Sequence, residues 1–161
     1  MNITLFLMGM LFLAFFIVPV IYIHRAQKNK GKNFLKHFAD IALKENIKIT
    51  HSEMWNENNC IGIDEVSGKL FILSKSDEKE ETTQIDLKSV TQCKFSPTYR
   101  KIKGNKNISV TERIDIVFSF NDSKPEKVVN FYNTNGSATL SEEPVFAEKW
   151  CNKINGYIQS K

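Results

Sequence analysis

The chain has 161 residues, 42% of them apolar and 25% charged, with 12 Phe, 4 Tyr and 2 Trp against 7 Gly and 4 Pro. That is enough for one globular domain and excludes a multidomain assembly, a collagenous chain and a wholly disordered one. The net charge of +4 arises from Arg25, Lys28, Lys30 and Lys32, because the other 18 of the 22 basic side chains match the 18 acidic ones, so the overall basicity is no signature of nucleic-acid binding.

Ile3 to Ile23 carries no charged side chain, and only Thr4 and Tyr22 offer polar atoms. At about 1.5 Å of rise per residue such a stretch spans roughly 30 Å of hydrocarbon, which predicts a transmembrane helix over residues 1–23 with Tyr22, His24 and Arg25 at the polar boundary. A cleaved signal peptide wants a basic start and a small-residue exit, unlike Met1-Asn2-Ile3-Thr4 and Tyr22-Ile23-His24-Arg25. Arg25, Lys28, Lys30, Lys32 and Lys36 all follow the stretch, which predicts a single-pass membrane protein with its globular part, residues 34–161, on the cytoplasmic side. Three scattered cysteines, Cys60, Cys93 and Cys151, suit a reducing compartment.

Residues 24–33 read as a basic juxtamembrane linker, of the kind that lies near anionic headgroups. Phe34, Leu35, Phe38, Ile41 and Ala42 then recur at helical spacing, which predicts an amphipathic helix over 34–45. Period two follows. Ile47 and Ile49 alternate with polar residues, Ile61 and Ile63 do likewise, and Leu70 to Leu73 is a run suited to burial on both faces. Asp64 to Lys69 forms the turn between the last two, and the acidic run Asp77 to Glu81 separates this hairpin from a strand at Thr82 to Leu87. A strand begins at Val90 with Cys93 and Phe95 on one face. Ser96 to Asn107 holds Pro97, Gly104, Arg100, Lys101, Lys103 and Lys106, which predicts a long basic hairpin end. Ile114, Ile116, Phe118 and Phe120 share one face of the next strand, Asn121 to Pro125 turns the chain, and Val128 to Tyr132 is the last strand. Glu142, Glu143 and Pro144 open a closing helix with the stripe Phe146, Trp150, Ile154 and Tyr157 or Ile158.

Cys60 to Ile72, Gln84 to Val90 and Ala147-Glu148-Lys149-Trp150 together resemble the small bacterial and GRAM-type pleckstrin-homology-like domains, over roughly Ile47 to Ile158. The resemblance implies an α+β, mostly antiparallel fold: a barrel of six or seven strands, closed by the C-terminal helix with Trp150 as its plug. It also implies a binding role, toward lipid headgroups or peptides. The early hairpin carries Asp64 and Glu65 with only Lys69, a departure that argues against phosphoinositides. Curling also follows from physical grounds, since seven short strands must cover their edges and core. An open antiparallel sheet with both helices on one face is the alternative packing.

No nucleophile elbow, phosphate-cradling loop, dinucleotide fingerprint or zinc-protease motif is present. His24, His37 and His51 and the cysteines stand singly, without metal-ligand spacing, so no catalytic, cofactor or metal residues are assigned. His51 and Glu53 share one face of a strand, where an exposed polar face explains the pair. Trp55 and Trp150 read as core, since stacking platforms for nucleic acid work beside a basic groove. The expectation is therefore a non-enzymatic, membrane-anchored binding or scaffolding module. The alternatives are an accessory subunit of a membrane complex and an enzyme without a recognisable motif. Arg100, Lys101, Lys103 and Lys106 are the candidates for contact with an acidic ligand or headgroup, supported by the juxtamembrane bases, and an unidentified protein is the other expected partner.

Overall fold

A single helix, α1 (Ile3–Lys44), carries the chain through its apolar and basic segments without a break. The computed structural model describes residues 3–76, 79–101, 109–121, 124–134 and 142–160, without the side chains of residues 3–7, 9–14, 23–24 and 26–29. After α1 come β1 (His51–Trp55), β2 (Asn59–Asp64), β3 (Lys69–Lys75), β4 (Glu80–Asp86), β5 (Val90–Lys101), β6 (Ser109–Phe120), β7 (Lys127–Asn133) and α2 (Glu143–Gln159).

Among the described residues no helix is long and apolar enough to cross a membrane. This overturns the expected transmembrane helix over residues 1–23, and with it the single-pass protein whose globular part faces the cytoplasm. The segment 24–33, expected as a linker, is helical, and the expected helix over 34–45 is the last part of α1.

The expected closed barrel is overturned as well. The strands form two antiparallel sheets, β1-β2-β3-β4 and β5-β6-β7. Side chains, not ladder bonds, join the sheet edges. Trp55 Nε1 donates to the Phe131 carbonyl at 3.2 Å, and Lys127 Nζ donates to the Gln84 carbonyl at 3.0 Å. Asn155 of α2 brackets Cys93 on the outer edge of β5, accepting from its N–H at 2.9 Å and donating to its carbonyl at 2.7 Å. With those groups satisfied by side chains, no strand-to-strand closure is needed to meet their hydrogen-bonding demand.

The first sheet is covered on both faces. Ile61, Ile63, Leu70, Ile72 and Ile85 point inward to the main core, which they share with Ile114, Ile116 and Phe118 of the second sheet and Ala147, Trp150, Cys151 and Ile154 of α2. Cys60, Phe71 and Leu73 point outward under α1, where Phe38, Ala42 and Ile47 complete a second core. The helices thus lie on opposite sides of this sheet, not on one face.

Ile47 to Thr50 is not a strand. The left-handed Asn46 (φ 58°) ends the helix, and Ile47 donates its N–H to the Ala42 carbonyl at 2.9 Å and is buried in the second core. Strand β5 runs on past the expected break at Pro97. Cys93 faces away from β6, so Pro97, an even number of places along, does too, and its missing N–H leaves the ladder intact.

Candidate functional site

The basic hairpin end is formed by the last residues of β5 and the first of β6. Tyr99 pairs with Thr111, Arg100 with Val110 and Lys101 with Ser109. Arg100 and Lys101 are exposed, and Tyr99 beside them is 61% exposed. Among the described residues neither base has an ion-pair partner; Lys103 and Lys106 lie outside the described residues. The described carboxylates of the acidic run, Glu80 and Glu81, are engaged away from this end. Glu80 pairs with His37 at 3.1 Å and Lys75 at 3.2 Å, and Glu81 with Lys79 at 2.9 Å, while Asp77 and Glu78 lie outside the described residues. Arg25, Lys30 and Lys32 are exposed along α1; the side chain of Lys28 is not described.

A second polar constellation joins β1 to α2. His51 and Glu53 do share a strand face, but it is the inner one, partly covered by α2, where an exposed polar face was expected. Glu53 accepts from Lys149 Nζ at 2.7 and 2.9 Å, from Trp150 Nε1 at 3.2 Å, and lies 3.1 Å from His51 Nε2. Partial burial pushes the Glu53 carboxyl up, but the bonds from Lys149, His51 and Trp150 outweigh it and hold the group below its ordinary 4.5. A carboxylate engaged by three donors is poorly placed to act as a base and well placed to hold an aromatic helix against a strand edge. Trp150 itself is 1% exposed in the main core. The period-two pattern could find His51 and Glu53 as a pair; nothing local to β1 announces Lys149 and Trp150, nearly a hundred residues on.

Burial pushes the Cys60 thiol up to about 12, so it is an inert core side chain. Cys93 and Cys151 are buried too, and Cys151 Sγ donates to the Cys93 carbonyl at 3.0 Å. Among the described residues no group of three or more His, Cys, Asp or Glu could hold a metal ion. A polar cleft of about 410 Å³ beside β7 is lined by Asn56, Asn59, Lys75, Lys79 and Asn130. Its two lysines are paired with Glu80 and Glu81, and the Asn130 amide donates to Asp115 and to the Tyr132 carbonyl at 2.9 Å each. Both lysines and Asn130 of the cleft are therefore engaged within the fold.

No protein-family model matches the chain, and neither a curated protein nor a solved structure matches it.

Proposed function

We propose that this chain is a non-enzymatic binding module whose β5–β6 hairpin end meets an acidic surface, with anionic lipid headgroups as the ligand class. The observation that carries the reading is an exposed aromatic beside two exposed bases, Tyr99 with Arg100 and Lys101, none of the bases neutralised by a described carboxylate. A tyrosine offers an apolar body and a polar tip, which suits a headgroup boundary, and each base adds about 1 kcal/mol of attraction near an acidic surface. The likeness of the Cys60 to Ile72 and Ala147 to Trp150 segments to pleckstrin-homology-like domains supports a binding role, and the use of Glu53 as a structural acceptor supports a non-enzymatic one.

The test compares the full chain on phosphatidylserine-containing and on phosphatidylcholine vesicles. Preference for the acidic vesicles should fall in high salt and vanish when Arg100, Lys101, Lys103 and Lys106 are replaced by Gln. A preference that survives the replacement, or equal binding to both vesicles at low salt, would refute the headgroup reading and leave a protein as the partner.

A further inference from the structure

Among the described residues, the four sheet edges are not equally guarded. On β5, Asn155 covers Cys93, and Pro97 has no N–H to offer. Strand β7 is interrupted by the register shift opposite Ile114 and Asp115, and Trp55 caps its Phe131 carbonyl. Strand β1 is short, five residues from His51 to Trp55, which leaves little edge for a partner to pair with. Strand β4 differs: its seven residues pair with β3 in an unbroken register and contain neither Pro nor bulge.

The direction of its backbone follows from two independent bonds. Leu87 donates to the Gly68 carbonyl at 2.8 Å, which makes 87 and 68 a hydrogen-bonded pair in the β3–β4 register, so Ile85 and Thr83 bond to β3 while Asp86, Gln84, Thr82 and Glu80 face away. The bond from Lys127 Nζ to the Gln84 carbonyl agrees, since that carbonyl must point outward to be reached. Thr82 and Gln84 are exposed residues on this edge.

Charge then selects what could pair there. Glu80 and Glu81 have cations, but among the described residues Glu45 and Asp86 have none. Glu45 lies over Gln84, accepting from its Nε2 at 3.1 Å, and Asp86 is two places along on the same face. An added strand would set alternate side chains roughly 5 Å from Gln84 and Asp86. Basic residues two apart would meet both carboxylates, and acidic ones would be repelled.

We infer that β4 is a docking edge for an extended segment of a partner protein carrying basic residues at alternate positions, added to the first sheet as a fifth strand. Main-chain bonds to Thr82 and Gln84 supply the pairing, and Glu45 and Asp86 supply the selection. Lys127 occupies only the Gln84 carbonyl meanwhile; an incoming N–H replaces that bond one for one.

The probe is a short synthetic peptide alternating threonine with lysine, set against its glutamate counterpart, both titrated into the full chain. The lysine peptide should bind about tenfold or more tightly than the glutamate one and slow hydrogen exchange at the Thr82 and Gln84 amides. Thr82→Pro removes an outward donor without touching the β3 ladder and should abolish that binding, whereas Lys127→Ala should tighten it. Glu45→Gln with Asp86→Asn should erase the preference for lysine. No binding at millimolar peptide, binding without protection of Thr82 and Gln84, or binding unchanged by Thr82→Pro would each overturn the inference. Replacing Arg100 and Lys101 should leave it unaffected, which separates this edge from the hairpin end.

Discussion

Gly62 shows how one missing atom sets the packing of the first sheet. A Cβ there would sit 2.8 Å from Phe38 Cε1 and 3.0 Å from Ile49 Cγ2, so the glycine is a socket for an aromatic ring of α1. Gly62→Ala should cost about 1 to 3 kcal/mol in urea unfolding, and Phe38→Leu should recover part of that loss if the ring is the obstacle. Glu53 makes a different test. Its carboxyl is held below the ordinary 4.5, so it contributes stability above that value, and the contribution is lost as pH falls through the lower folded value. The acid limb of the stability curve, below about pH 4.5, should therefore be shallower in Glu53→Gln. An unchanged limb would mean that the contacts with Lys149 and Trp150 form equally well with a neutral group. His51 and Glu53 were legible as a same-face pair because strand periodicity is local. That their face turns inward was not, because α2 is specified by residues distant in the chain.

At the scale of elements, α2 was legible from its acidic, proline-bearing start and its stripe, and Trp150 and Ile154 are buried as a stripe of that spacing requires. The helix serves both sheets: Lys149 and Trp150 reach Glu53 of β1, Asn155 brackets Cys93 of β5, and Tyr157 donates to the Glu65 carbonyl at 2.9 Å. Trp150→Ala should cost about 3 to 5 kcal/mol, and Trp150→Phe should cost less while still losing the indole bond to Glu53. A loss under about 1 kcal/mol for the alanine variant would show that α2 is held by its polar bonds alone. Strand β5 outruns the expected break, because Pro97 looks like a breaker until the neighbouring strand shows which way its missing N–H points. The segment from Ile47 to Ile49 has the alternation of a strand, yet Ile47 serves the helix-side core and Lys48 donates its N–H to Asp64 at 3.0 Å.

For the whole molecule, a series of antiparallel strands followed by a C-terminal helix was legible from the hydrophobic pattern, but the closure of the sheet was not. Whether seven strands make a barrel or two sheets depends on what meets their edge groups, and here side chains from elsewhere in the chain do so: Trp55, Lys127 and Asn155. The basic hairpin end was visible as composition, and its isolation from Glu80 and Glu81 emerged only once those residues were seen engaged on the other sheet. The same gap between composition and arrangement governs α1. Because this helix is continuous from Ile3 to Lys44, and its last part is docked through Phe38 and Ala42, its first part has a fixed rotational phase relative to the sheets. Each residue added within 24–33 would turn Phe15 to Tyr22 by about 100° around the helix axis, whereas seven would return them within about 20° of their original bearing. Alanine insertions of increasing length there should therefore change the orientation of that apolar segment periodically, read as spin-label distances between Tyr22 and Thr82. A monotonic change in those distances would mean that the helix does not transmit its own rotation.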